Sequence, residues 1–169
     1  MIPRLRTQRL DVRPCTLDDI DMLHAMWTDP DVRRYLWDDQ IIERDQAEQV
    51  VQALVDSAAN DGCGMWVLYL RDSNDAIGFV ALRAIEGTVE VELLYGLYRT
   101  AWGSGYATEA SLAVLSYGFE QVRLARIWAR TDPPNVASIR VIERLQMQAA
   151  ENPGSETIPI AAWVLERPR

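Results

Sequence analysis

Hydrophobic and polar positions change period several times along the chain, and each change marks an element. In "TQRLDVRPCT", Leu10 and Val12 alternate with Arg9, Asp11 and Arg13, the period of a half-buried strand, and Pro14 stops it. Thr16 followed by Asp19 resembles a capping box with Asp replacing Glu, and Ile20, Leu23 and Trp27 then recur at helical spacing, with His24 inside the helix. "WTDPDVRRYLWDDQ" reads as a loop around Asp29-Pro30, either a substrate lid or an ordered surface loop carrying Trp37. From Asp45 to Ala59 an apolar stripe of Ala47, Val50, Val51, Leu54 and Ala58 predicts a second amphipathic helix. "MWVLYL", "AIGFVALRAI" and "TVEVELLYGL", separated by short polar turns, then read as an antiparallel meander.

"GYATEASLAVLSYGFEQV" is apolar on most of a helical circumference, which predicts a helix buried against the sheet. "ARIWAR" reads as a short strand, a helix begins at about Asn135 after Pro133-Pro134, and "IPIAAWVLE" is a last strand. No linker, repeat or low-complexity tract interrupts the series, so residues 1–169 are expected to form one α/β domain with a mostly antiparallel sheet.

Composition narrows the function classes. A chain of 169 residues buries roughly two thirds of its unfolded surface without a metal or disulfide. Its net charge of −8 removes the positive field that nucleic-acid binding draws on and suits a cationic partner such as an amine or a basic peptide. Cys15 and Cys63 lack metal-ligand spacing and His24 is the single histidine, so no metal site is expected. The N-terminus lacks an apolar signal segment, and no run approaches the ~18 apolar residues of a membrane span. The expectation is a cytoplasmic protein that avoids nucleic acid and membranes.

The candidate chemistry lies in "YRTAWGSGYATEA", residues 98–110. A strand running through Gly103 and Gly105 into a helix points unpaired N–H groups and a helix dipole at one spot, where a pyrophosphate fits on the amides of residues 103–108. A dinucleotide site wants a third glycine and an acid after the next strand, but Thr108 and Arg130 stand there. A P-loop wants a lysine, and the chain has none. A plain tight turn needs only the glycines.

"AWGSGYATEASLAVLSYGFE" closely resembles the acetyl-CoA motif of the GNAT superfamily of N-acetyltransferases, in the branch that holds the ribosomal-protein N-terminal acetyltransferases. "LRTQRLDVRPCTLDDIDML", "VELLYGL" and "NVASIRVIERLQM" resemble other segments of that branch in the expected order, so the likeness covers about residues 4–147. It implies the GNAT fold, in which the strands at 88–97 and 125–130 are parallel and splayed within a mixed sheet carrying helices on both faces. The pantetheine arm of acetyl-CoA would enter the splay and pair with the backbone around Leu94. Trp102, Gly103, Ser104, Gly105, Tyr106, Ala107 and Thr108 would form the pyrophosphate turn. Asn135 would either reach the pantetheine or cap its helix.

The resemblance implies direct attack by a primary amine, either a protein N-terminus or a small molecule. Glu92 is the candidate base, with Glu90 on the same strand face as its alternative. Ser138 would serve the departing thiolate, with Tyr95, Tyr106 and Tyr117 as alternative hydroxyls. A covalent route through Cys63 has no neighbouring base in the sequence. A catalytically silent acyl-CoA-binding module would share every cofactor residue. Gln146 replaces the branch's usual glycine and the C-terminal tract matches weakly, which leaves the acceptor pocket open. The Trp37 loop and the last strand are candidate surfaces for a homodimer.

Overall fold

A computed structural model describes residues 1–156 and 158–168; Thr157, in the C-terminal tract, and Arg169, the end of the expected domain, lie outside the described residues. The strands are β1 (Leu5–Arg6), β2 (Leu10–Pro14), β3 (Met65–Leu70), β4 (Ala76–Ala84), β5 (Val91–Leu97), β6 (Arg126–Thr131), β7 (Gln148–Ala150) and β8 (Ala161–Glu166). The helices are α1 (Ile20–Thr28), α2 (Pro30–Arg33), α3 (Arg44–Asn60), α4 (Tyr106–Tyr117) and α5 (Val136–Arg144). The strands form one sheet in the order β1-β2-β3-β4-β5-β6-β8-β7.

Strand alternation divides the core into two layers. Trp66 and Leu68 of β3 face α4 with Val80, Leu82, Leu93, Ala110 and Val114, and α5 adds Ile142 to that layer. Met65 and Val67, one position out of phase, face α1 and α3 with Phe79, Leu23, Met26, Val51 and Leu54. Helices thus cover both faces of a mixed, mostly antiparallel sheet. Among the described residues β5 and β6 are its one parallel pair, and they meet only where Glu92 lies opposite Trp128. Across the other edge of β5, by contrast, pairing to β4 is continuous from Gly78↔Leu97 to Ala84↔Val91. The splay therefore opens beyond Glu92, toward the end of β5 that leads into the glycine turn.

Several local expectations change. The segment expected as a loop contains α2, because Asp29 caps it by accepting a hydrogen bond from the Asp31 N–H and Pro30 takes the first helical position. Trp37 is not an exposed surface residue, since its ring packs 5.7 Å from that of Trp27 within the α1/α3 layer. Asp11 breaks the alternation of β2: it is buried because Arg4 and Arg13 both pair with it. The glycine-turn helix ends at Tyr117 in a wider π turn over Gly118–Val122, and its Leu112 is exposed. Among the described residues no helix is long and apolar enough to cross a membrane, and no three metal-binding side chains gather.

Candidate active site

A cavity of about 700 Å³ fills the splay. Its walls are Leu93–Leu97 of β5, Ala129–Thr131 of β6, the start of α4, the start of α5 and the α2 segment from Asp31 to Leu36. The α4 and α5 contributions come from one face of the sheet, while Leu36 and Leu94 pack in the layer on the other, so the cavity runs through the sheet from face to face. Among the described residues Arg34, Arg99, Arg130, Arg140 and Arg144 line it with Asp31 as the one acid in the wall; Arg99 pairs with Asp31, and Arg130 with Glu92 and Glu156 behind the wall. The cavity is cationic although the chain is acidic.

The glycine turn forms its mouth. Gly103 (φ 73°) and Gly105 (φ 81°) adopt the left-handed conformation, and Gly105 caps α4, leaving the first-turn N–H groups without intrahelical partners. A Cβ at Gly103 would meet nothing within 4 Å, so the backbone itself is presented to the cavity. Trp102 is anchored by its indole N–H donating to the Leu97 carbonyl at 2.9 Å. The Thr108 hydroxyl is buried without a hydrogen-bond partner, an orphaned polar group on a cavity-lining residue at the start of α4. These features fit a pyrophosphate. Trp102, Gly103, Gly105, Tyr106, Ala107 and Thr108 all line the cavity, whereas Ser104 does not; its carbonyl accepts from Arg9 Nη1 at 2.9 Å.

Inside, Tyr95 and Ser138 meet across the splay. Their hydroxyls lie 2.8 Å apart, and the Tyr95 hydroxyl also lies 3.1 Å from the Ser138 carbonyl oxygen. Burial pushes the Tyr95 phenol up to about 12 against the opposing effect of the Ser138 bond, so it stays neutral and able to donate. Asn135 caps α5, its side-chain oxygen accepting from the Ser138 N–H at 3.2 Å, and it also lines the cavity. The cap therefore positions Ser138. Of the other hydroxyls, Tyr117 is remote, donating to the Gly62 carbonyl at 2.9 Å, and Tyr106 lies beneath the Arg9 guanidinium. Cys63 is buried and its thiol is pushed up to about 11, chiefly by burial, so it offers no thiolate.

The structure separates the two glutamates. Glu90 accepts from Arg126 Nε at 2.9 Å and from the Trp128 indole at 2.8 Å, and the Arg126 bond holds its carboxyl below the usual range. Glu92 is only 2% exposed and is not part of the cavity wall. Its Oε1 accepts from Arg83 Nε at 2.8 Å and Arg130 Nη2 at 3.2 Å, and its Oε2 accepts from Arg130 Nε at 2.8 Å. Three of the roughly four acceptor positions of a carboxylate are thus taken. Arg130, which does line the cavity, continues to Asn152 and Glu156. Neither Arg83 nor Arg130 is among the candidate site residues of the sequence, yet a signal for Arg130 is present: Arg126 and Arg130 keep strand period on β6 as Glu90 and Glu92 do around β5.

Residues 9–148 match the family described as the acetyltransferase (GNAT) domain. The uncharacterized N-acetyltransferase p20 of Bacillus licheniformis is 30% identical over 145 residues, which covers 85% of this chain and 82% of that protein. An acetyltransferase structure from Agrobacterium tumefaciens superposes with a TM-score of 0.88 at 24% identity, covering 98% of this chain and 95% of its own. A ribosomal L7/L12 α-N-protein acetyltransferase solved with coenzyme A superposes at 0.78 with 16% identity, covering 98% and 97%. At these identities the two structures speak for the fold alone.

Proposed function

The chain belongs to the acetyltransferase (GNAT) domain family, and from that premise we propose that residues 1–169 act as a single domain moving an acetyl group from acetyl-CoA directly to a primary amine. The observation that carries this reading is the turn at residues 102–108, with its two left-handed glycines, the unpartnered Thr108 hydroxyl and the cationic wall behind it. Acetyl-CoA, when bound, supplies an activated thioester. Gly103 and Gly105 through Thr108 hold its pyrophosphate on backbone amides, and the backbone around Leu94 pairs with the pantetheine along the open edge of β5.

Ser138 donates a hydrogen bond to the departing sulfur, and Tyr95 donates in turn to Ser138, which leaves the serine hydrogen free to turn toward the cavity. The amine must lose a proton. An N-terminal α-amine with a pKa near ~8 is neutral in about a tenth of molecules at pH 7, whereas a lysine near ~10.4 is neutral in far fewer. This difference favours an α-amine, on a protein N-terminus or a small molecule. Glu92 serves as base only if a guanidinium swings off it, and its resting role in this reading is to hold Arg130 at the cavity wall.

The test is a thiol-release assay with acetyl-CoA across free amines, acidic and basic N-terminal peptides and a lysine side-chain mimic. Stoichiometric thiol release and acetyl-amine formation, greatest for an α-amine, are expected. Binding of acetyl-CoA without turnover on any amine would replace the enzyme with a silent acyl-CoA-binding module.

A further inference from the structure

The connection between β1 and β2 reaches across to the glycine turn. Thr7 Oγ1 donates to Glu109 Oε1 at 2.6 Å, and the Arg9 backbone N–H donates to the same oxygen at 2.8 Å. Arg9 Nε donates to Glu109 Oε2 at 2.7 Å, Arg9 Nη1 to the Ser104 carbonyl at 2.9 Å, and the guanidinium lies 4.4 Å over the Tyr106 ring. One side chain thus grips the first turn of α4 and the peptide just before it.

We infer that Arg9 is a positioning residue for the pyrophosphate turn: by holding the Ser104 carbonyl outward it aims the Gly105 N–H into the cavity. A trans peptide is planar, with its C=O and N–H pointing in opposite directions, and the described backbone contains no cis peptide. A carbonyl drawn toward Arg9 therefore sends the next N–H away from it, and Gly105 lines the cavity whereas Ser104 does not. The turn needs such an anchor because glycine accepts either sign of φ, so Gly103 and Gly105 leave the peptides between them free to rotate at little cost. The fork geometry of a guanidinium lets one residue hold both a carboxylate and a carbonyl. Charge acts in the same direction: Glu109 sets a negative charge in the first turn of a helix meant to face an anion, and Arg9 neutralises it.

This inference rests on the acetyl-CoA reading, and the test keeps the two apart. Arg9→Lys retains a cation for Glu109, but its compact ammonium cannot also orient Ser104; Arg9→Ala removes both contacts. By calorimetry, acetyl-CoA should bind both variants about tenfold more weakly or worse, while the melting temperature of Arg9→Lys stays within about 2 °C of the parent. S-acetylpantetheine, which lacks the pyrophosphate, should be turned over with unchanged kcat/KM by Arg9→Lys. An Arg9→Lys protein that binds acetyl-CoA as tightly as the parent overturns the inference, as does equal loss toward both thioesters. A parent that binds no acetyl-CoA at all overturns the reading beneath it.

Discussion

Two hydroxyls and one carboxylate divide the chemistry at the residue scale. Ser138 and Tyr95 touch each other and the cavity, so they should act as a unit. Ser138→Ala and Tyr95→Phe are each expected to lower kcat by about tenfold, with the double variant close to the worse single one, because coupled groups are not additive. Acetyl-CoA affinity measured by calorimetry should change little; a strictly multiplicative loss would separate the pair. Glu92→Gln answers a different question. It removes one partner of a buried ion pair beside the 9%-exposed Arg130 side chain, so stability should fall by about 3 kcal/mol in denaturant titration. A stable variant with reduced kcat, normal acetyl-CoA binding and an altered pH profile would instead make Glu92 the base. The family resemblance names Glu92, while strand position alone leaves Glu90 beside it on the same face. The sequence could not show the two guanidiniums that occupy Glu92, because Arg83 and Arg130 arrive on two neighbouring strands, one reached only after a long crossover.

The elements that build the site differ in how openly the sequence displays them. The meander β3-β4-β5 and the helices α1, α3, α4 and α5 were legible because each carries a long run at one period. β1 and β7, with two and three residues, are too short to carry a period, and pairing with a neighbour alone makes them strands. α2 was hidden by its own start signal: Asp-Pro marks a turn as readily as a helix cap, and only four residues follow. Ser104 shows the same limit inside a motif, since adjacency to the glycines placed it in the turn while the contact of its carbonyl with Arg9 spans 95 positions. The turn element also yields a prediction. At φ 81°, Gly105→Ala should cost about 1–2 kcal/mol of stability through the left-handed backbone alone. Its added Cβ would lie 3.5 Å from Arg9 Nη2, an ordinary contact, so thermal unfolding reports the strain with little steric contribution.

Over the whole molecule, the distribution of charge matters more than its sum. Several carboxylates are held below their usual range: Asp11 at about 2, first by its bond to Arg4; Glu90 by Arg126; and Glu109, where burial pulls upward but the Thr7 and Arg9 bonds outweigh it. A depressed folded value means the unfolded chain binds more protons, so stability is complete above the unfolded range near ~4 and lost as pH falls toward 2. Asp11→Asn should flatten that acid limb in thermal scans between about pH 4 and 2. The opposite balance inside the cavity bears on the ligand. A net charge of −8 repels a polyanion at long range, whereas Arg34, Arg140 and Arg144, the cavity arginines that make no ion pair among the described residues, attract it at short range. Salt distinguishes the two, because the Debye length of about 8 Å at physiological ionic strength screens the distant charges most. If global repulsion dominated, added salt would tighten binding; with the arginines at contact distance the local attraction is the larger effect. The acetyl-CoA dissociation constant should therefore rise with sodium chloride. Arg140→Gln and Arg144→Gln, which remove two of those cations from the exposed face of α5, should flatten that dependence while leaving the melting temperature near that of the parent.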